Sequence, residues 1–272
     1  MEYALEKPQR NIQSIEVGGQ LLLALLRNGG QMLLRDLAHE AGMPPGKAHP
    51  YLVSFGNLGL VQQDDVTGQY ELGPLALQLG LASLRRLNPL KEAEADVKAL
   101  AAKTGQGIFI SIWGNLGPTV VRLEESNYPI HVSIRNGTVM SLANTATGQI
   151  FSAFMPLKLI EKMMLDDLPR LAGGASVTHE TVKKFEQSLI DVRRRGLARV
   201  VGHPIPGVNA LSAPVFDHNG NIVLAITAMG ITGVFDPAWK GDMATALRAC
   251  AGNISARLGY TSTAGKSDRL KP

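Results

Sequence analysis

Cysteine is almost missing from this chain: Cys250 is the only one in 272 residues. That excludes an internal disulfide and a cysteine-built metal cluster, and leaves Cys250 the role of a small buried hydrophobe near the last helical turns. Long apolar runs are missing too. The longest, around Leu21–Leu26, falls far short of the ~18 residues that cross a bilayer and reads as a helix core. The opening MEYALEKPQRN has no apolar leader core, so nothing argues for secretion, and a cytoplasmic protein is expected. The six histidines (His39, His49, His131, His179, His203, His218) are scattered, without HExxH spacing. His179-Glu180 has no second histidine and reads as the start of a helix. No GxSxG, Walker or GxGxxG sequence occurs, so nucleophile-elbow and phosphate-loop chemistry have no foothold, and no cofactor or metal is expected.

One-sided charge is scarce as well. The net charge is only +4. Residues 1–90 carry seven Lys and Arg against eight Asp and Glu, so the excess lies in 91–272, at twenty against fifteen. Global charge therefore gives no support to nucleic-acid binding by the first third, although a few well-placed cations suffice when a dimer doubles them. With 45% hydrophobic residues the chain is long enough for two domains with cores of their own.

What is present is a pattern at 34–73, LRDLAHEAGMPPGKAHPYLVSFGNLGLVQQDDVTGQYELG. Leu34, Leu37, Ala38 and Ala41 recur at helical spacing and Gly42 stops the helix. Pro44 or Pro45 can open the next helix, whose apolar stripe is Ala48, Leu52, Phe55 and Leu58. Strands near Leu60–Gln63 and Gln69–Leu72 flank a polar tip with Gly68 placed for positive φ. Two angled helices followed by a hairpin make a winged helix-turn-helix, which lays a helix in the DNA major groove. On that geometry Lys47 and His49 can donate to base edges or phosphates, Ser54 faces outward, and Thr67 and Gln69 sit at the wing tip. Arg10 is placed as an N-terminal arm. A solvated-surface role for the same side chains is the alternative.

Elsewhere a first helix is expected over Ser14–Leu26, with Ile15, Leu22, Leu25 and Leu26 inward. A helix runs from Pro74 to about Leu87, and Asn88-Pro89 caps another that ends at Thr104-Gly105 and buries Leu90, Ala93, Val97 and Leu100. Strands follow at 107–113, 118–124 and 130–135, helices at 147–165 and 178–195, and strands at 197–201, 209–216 and 221–229, with Asp217-His218-Asn219-Gly220 as a hairpin turn. Asp236-Pro237 opens a last helix to about Leu258. The fold class is α+β: an N-terminal winged helix-turn-helix (12–74), a linker helix (75–88), and an antiparallel-sheet domain (89–260) able to cup a small ligand. Residues 261–272 form a polar tail expected to be disordered. Arg193-Arg194-Arg195 reads as the dipole-complementing end of a helix capped by Gly196 rather than as a nucleic-acid patch. Asn144-Thr145-Ala146-Thr147-Gly148 leads into a helix whose free N–H groups can hold a carboxylate.

Two separated segments, the helix-turn-helix with GQYELGPLALQLG after it, and RNGTVMSLANTATGQIFSAFMP with RRRGLARVVGHPIPGVNALSAPVFDHNGNIVLAITAMG, resemble the IclR family of bacterial transcription regulators over about 12–260. The resemblance implies a DNA reader joined through a linker helix to an effector domain with a GAF-like sheet, in a homodimer or homotetramer on double-stranded operator DNA. It also implies an effector site at Ala146, Thr147, Ala210 and Thr227, with Val200, Ala210 and Met229 standing where other members carry acidic, cysteine and serine side chains. That substitution makes the site apolar and favours an aromatic or longer aliphatic carboxylate over glyoxylate. The chain departs from the family at Leu33, a weak N-cap, and at Gly46, Lys47 and Pro50 in the recognition helix, where proline is expected to bend the helix or displace its start. The alternative is a small-molecule-handling α+β enzyme whose winged helix contacts protein.

Overall fold

The computed structural model describes residues 11–128, 134–156, 158–160, 163 and 179–261; Arg10, His131 and the tail 262–272 lie outside them. The backbone divides between Leu87 and Asn88 into two compact units.

In the first unit α1 (Gln13–Asn28), α2 (Leu34–Glu40) and α3 (Pro45–Leu58) precede a short antiparallel hairpin of β1 (Val61–Gln63) and β2 (Tyr70–Leu72), then α4 (Pro74–Leu84). Leu21, Leu25, Leu37, Ala38, Ala48, Leu52, Val61 and Tyr70 form the core. The inward stripe of α1 is Gly18, Leu21, Ala24 and Leu25, not the expected set: Ile15 is 69% and Leu26 64% exposed. The helix is rotated because α3 lies against Gly18, where an added Cβ would stand 2.8 Å from Tyr51 Cδ1. Leu33 caps α2 without a side-chain bond. Pro45 begins α3 as its ring favours, and α3 then runs unbroken through Pro50, so the start is not displaced. Gly46 and Pro50 both lie on the exposed side, where water can serve the carbonyl that proline leaves without a donor. The helix following the hairpin ends at Leu84, short of Leu87.

The second unit holds α5 (Pro89–Thr104), β3 (Gly107–Gly114), β4 (Gly117–Glu124), α6 (Ala146–Phe154), α7 (His179–Arg195), β5 (Ala198–Val201), β6 (Val208–Phe216), β7 (Ile222–Ile231) and α8 (Asp242–Arg257). Asn88 Oδ1 accepts from the N–H groups of Leu90 and Lys91 and starts α5 as expected. The sheet is antiparallel with order β4-β3-β7-β6-β5. Alternation puts Phe109, Ala225, Thr227 and Met229 on one face and Ile108, Ile226 and Ala228 on the other; both sets are buried, so both faces are covered. Packing against the sheet are α5, α6 and α8, with α7 on α6. Arg257 of α8 pairs with Asp96 and Glu92 of α5.

Three expectations need correction here. The strand expected at 130–135 is absent at Ile134 and Arg135, the remainder lying outside the described residues; the chain instead returns along β4 at 137–140, where Thr138 and Pro118 carbonyls accept from Val120 and Met140. The helix expected to reach 165 ends at Phe154, because Pro156 forces Met155 into extended backbone (ψ 159°). The last helix starts at Asp242, not Pro237: Asp236 Oδ1 accepts from Ala238 N–H in a local turn, and Gly241 becomes the N-cap.

Candidate functional site

The start of α6 is built by a threonine and a glycine. Thr145 Oγ1 accepts from Gly148 N–H at 2.9 Å and donates to the Ser141 carbonyl at 2.7 Å, which ties the cap to the preceding loop. At Gly148 any Cβ would collide with the Ser141 carbonyl and the Leu142 backbone, so only glycine lets the loop lie this close. The backbone N–H groups of Ala146 and Thr147, in the first turn, have no intrahelical acceptor and carry the positive end of the helix dipole.

Beneath that turn three hydroxyls form a chain. Thr147 Oγ1 lies 2.8 Å from Thr227 Oγ1, which lies 2.8 Å from Ser212 Oγ; Ser212 Oγ donates to the Ile226 carbonyl at 3.4 Å. Each hydroxyl has one proton and two lone pairs, so it can donate to one neighbour and accept from the other, and the chain ties α6 to β7 and β6. All three residues are buried.

Over this floor is a cavity with about 410 Å³ of empty space, part of it open to solvent. Ala146, Thr147, Val200, Ala210, Thr227 and Met229, the six residues expected at the effector site, all line it. Register explains the convergence: Val200 pairs with Ala210, and Ala210 with Met229, across three neighbouring strands. Phe109, the cross-strand partner of Thr227, completes the wall with Ile134, Met140 and Val208. Sequence reasoning missed these, and also missed His203, Pro204 and Ile205 in the β5–β6 loop. Phe109 was within reach through the alternation of β3; the β5–β6 loop carries no periodic signal. Apart from His203, none of the described lining residues is ionisable.

On the first unit, a helical turn of about 100° per residue centres the exposed face of α3 on Gly46, Pro50, Val53 and Asn57. Lys47 and Ser54 flank one side of that face and His49 the other, so the expected contacts form two rims rather than one row. Ser54 Oγ donates to the Pro50 carbonyl at 2.9 Å, leaving it only acceptor capacity. At the wing, Asp64 Oδ1 accepts from Val66 N–H, Thr67 N–H and Thr67 Oγ1. Those bonds, the Thr67 backbone first, hold the Asp64 carboxyl below the usual carboxylate range. Thr67 thus has its hydroxyl proton engaged inside the wing, while Gln69 is half-buried beside it.

The three arginines ending α7 are committed locally. Arg193 donates to the Ala153 carbonyl, Arg194 pairs with Asp191 at 2.6 Å, and Arg195 stands over the Trp239 ring at 4.7 Å, as does Arg199 at 4.4 Å. Cys250 is buried, and burial pushes its thiol up to about 12. Among the described residues no group of His, Cys, Asp and Glu could hold a metal ion, and no helix is long and apolar enough to cross a membrane.

Residues 14–65 match the IclR helix-turn-helix domain, and residues 81–256 match the family described as bacterial transcriptional regulator IclR C-terminal. A glycerol operon regulatory protein of Streptomyces griseus is 31% identical over 259 residues, covering 92% of this chain and 98% of that protein. The crystal structure of Pseudomonas aeruginosa HmgR superposes with a TM-score of 0.84 at 35% identity, covering 93% of this chain and 100% of that one. The Agobacterium tumefaciens repressor BlcR, at 19% identity with a TM-score of 0.76 over 93% of this chain and 100% of that one, shares the fold.

Proposed function

The chain belongs to the IclR family of bacterial transcriptional regulators, and from that premise we propose that it controls a catabolic operon by sensing a small organic acid, preferably an aromatic carboxylate. DNA binding rests with the helix-turn-helix and ligand response with the second unit; the family consists of regulators, not enzymes. The observation that carries the choice of ligand is the cavity at the start of α6, where apolar walls meet a helix N-terminus. Val200, Ala210 and Met229 put apolar side chains at those three positions of the wall, so a flat apolar body gains more there than glyoxylate can. The first-turn N–H groups of Ala146 and Thr147 supply donors for a carboxylate.

The working unit in this reading is a homodimer, with a winged helix over 12–74, a linker over 75–88 and an effector domain over 89–260. Support comes from α4, which buries no side chain and leaves Leu77 65% and Leu79 56% exposed. An effector that binds two arrangements of the dimer unequally changes the spacing of the two recognition helices and hence their fit to paired half-sites. Lys47, His49, Ser54, Gln69 and the Arg10 arm supply DNA contacts in this reading, Lys47 foremost. Isothermal titration of the full chain with benzoate, against glyoxylate and pyruvate, tests the ligand class. Tighter binding of benzoate is expected; tighter binding of glyoxylate overturns it.

A further inference from the structure

We propose that His203 is the residue that gives the cavity its preference for an anion, by placing a ring N–H against the effector's carboxylate. The inference rests on the cavity being the effector site and adds which side chain reads the charge. A carboxylate brought into an apolar pocket must exchange its hydration for donors, or the cost of burying the charge cancels the gain from the walls. The possible donors in the lining are few. Thr145 Oγ1 spends its proton on the Ser141 carbonyl. The Thr147 and Thr227 hydroxyls are bonded to one another and, through Thr227, to Ser212, so the floor is engaged within the protein and carries no charge. The Ala146 and Thr147 N–H groups remain, but they carry partial charge and serve a neutral carbonyl as well as an anion.

His203 is different in kind. Among the described lining residues it is the one ionisable side chain, with no Lys, Arg, Asp or Glu beside it. Among the described residues its imidazole makes no hydrogen bond or ion pair, and the residue is exposed at the cavity rim. Its neighbours Pro204 and Ile205 line the same cavity, so the β5–β6 loop forms part of the wall. An imidazole so placed donates to a carboxylate as a neutral ring and pairs with it as a cation. Charge-assisted bonds of this kind are about twice as strong as neutral ones.

The test uses the full chain, benzoate, and its neutral isostere benzamide, followed by calorimetry or by the fluorescence of Trp113 and Trp239. Wild type is expected to bind benzoate at least about tenfold more tightly than benzamide. His203→Ala is expected to weaken benzoate about tenfold or more while changing benzamide less than about twofold, and His203→Gln, which keeps a donor but cannot be charged, to fall between. Equal loss of both ligands in His203→Ala, or no loss of either, overturns the role of His203 and leaves the cavity reading standing. A wild type that binds neither ligand overturns both.

Discussion

At Thr227 a single hydroxyl joins helix to sheet, bonded to Thr147 on one side and to Ser212 on the other. Thr227→Val strands one buried donor and one buried acceptor, and urea unfolding is expected to show a loss of about 1–3 kcal/mol that Thr227→Ser largely restores. A loss below about 0.5 kcal/mol, the range of neutral surface changes, would speak against the bonded chain. On the DNA side Lys47 is exposed at the flank of α3, so Lys47→Ala is expected to weaken binding across sequences and lower the salt slope by about one for each phosphate the ammonium neutralises. An unchanged slope removes Lys47 from the interface. Asp64 holds the wing tip through acceptor bonds that only its charged form makes fully. Since its folded value is lowered, that contribution is complete above the ordinary 3.8 and disappears as pH falls through the lower folded value. Amide exchange at Val66 and Thr67 should accelerate over that acidic window, and Asp64→Ala should abolish the pH dependence.

Elements announced themselves in the sequence where backbone chemistry is local. Gly42 and Gly105, the expected stops, follow their helices in the left-handed region at φ 69° and 66°, and Asn88 caps α5 through its side chain. The errors arose where a distant partner decides. Ile15 and Leu26 obey helical spacing as well as Leu21 does, and only the fit of Tyr51 against Gly18 chooses between the faces. Asp236-Pro237 has the chemistry of a helix start, yet Asp236 uses its carboxylate on Ala238 and the helix waits until Gly241. The glycine of α6 gives the sharpest test at this scale. Gly148→Ala must push the 141–142 backbone away, so a loss of about 2 kcal/mol or more is expected, together with loss of benzoate binding. For α4, replacing Leu77 and Leu81 with serine is expected to shift sedimentation from dimer toward monomer without unfolding either unit, because neither side chain is buried in the chain. A dimer that persists unchanged places the interface elsewhere.

Over the whole molecule, the six expected cavity residues were reached through the resemblance to the family, and strand register explains why they meet. Lining from the β5–β6 loop was not, since a loop's path depends on what it covers. The DNA face was legible only in part: α3 was located, but its centre at Pro50, Val53 and Asn57 emerges from the angle at which Ala48 and Leu52 dock into the core. The two units have separate cores, so a regulator built this way must transmit ligand binding as a difference in affinity between states. Linkage makes that claim measurable in either direction. The direct measurement is the affinity of the full chain for duplex DNA from upstream of its own gene, by fluorescence anisotropy at about 150 mM salt, with and without saturating benzoate. A shift of at least about fivefold is expected, lost in Gly148→Ala; superimposable curves from a protein that binds both benzoate and the duplex would contradict it.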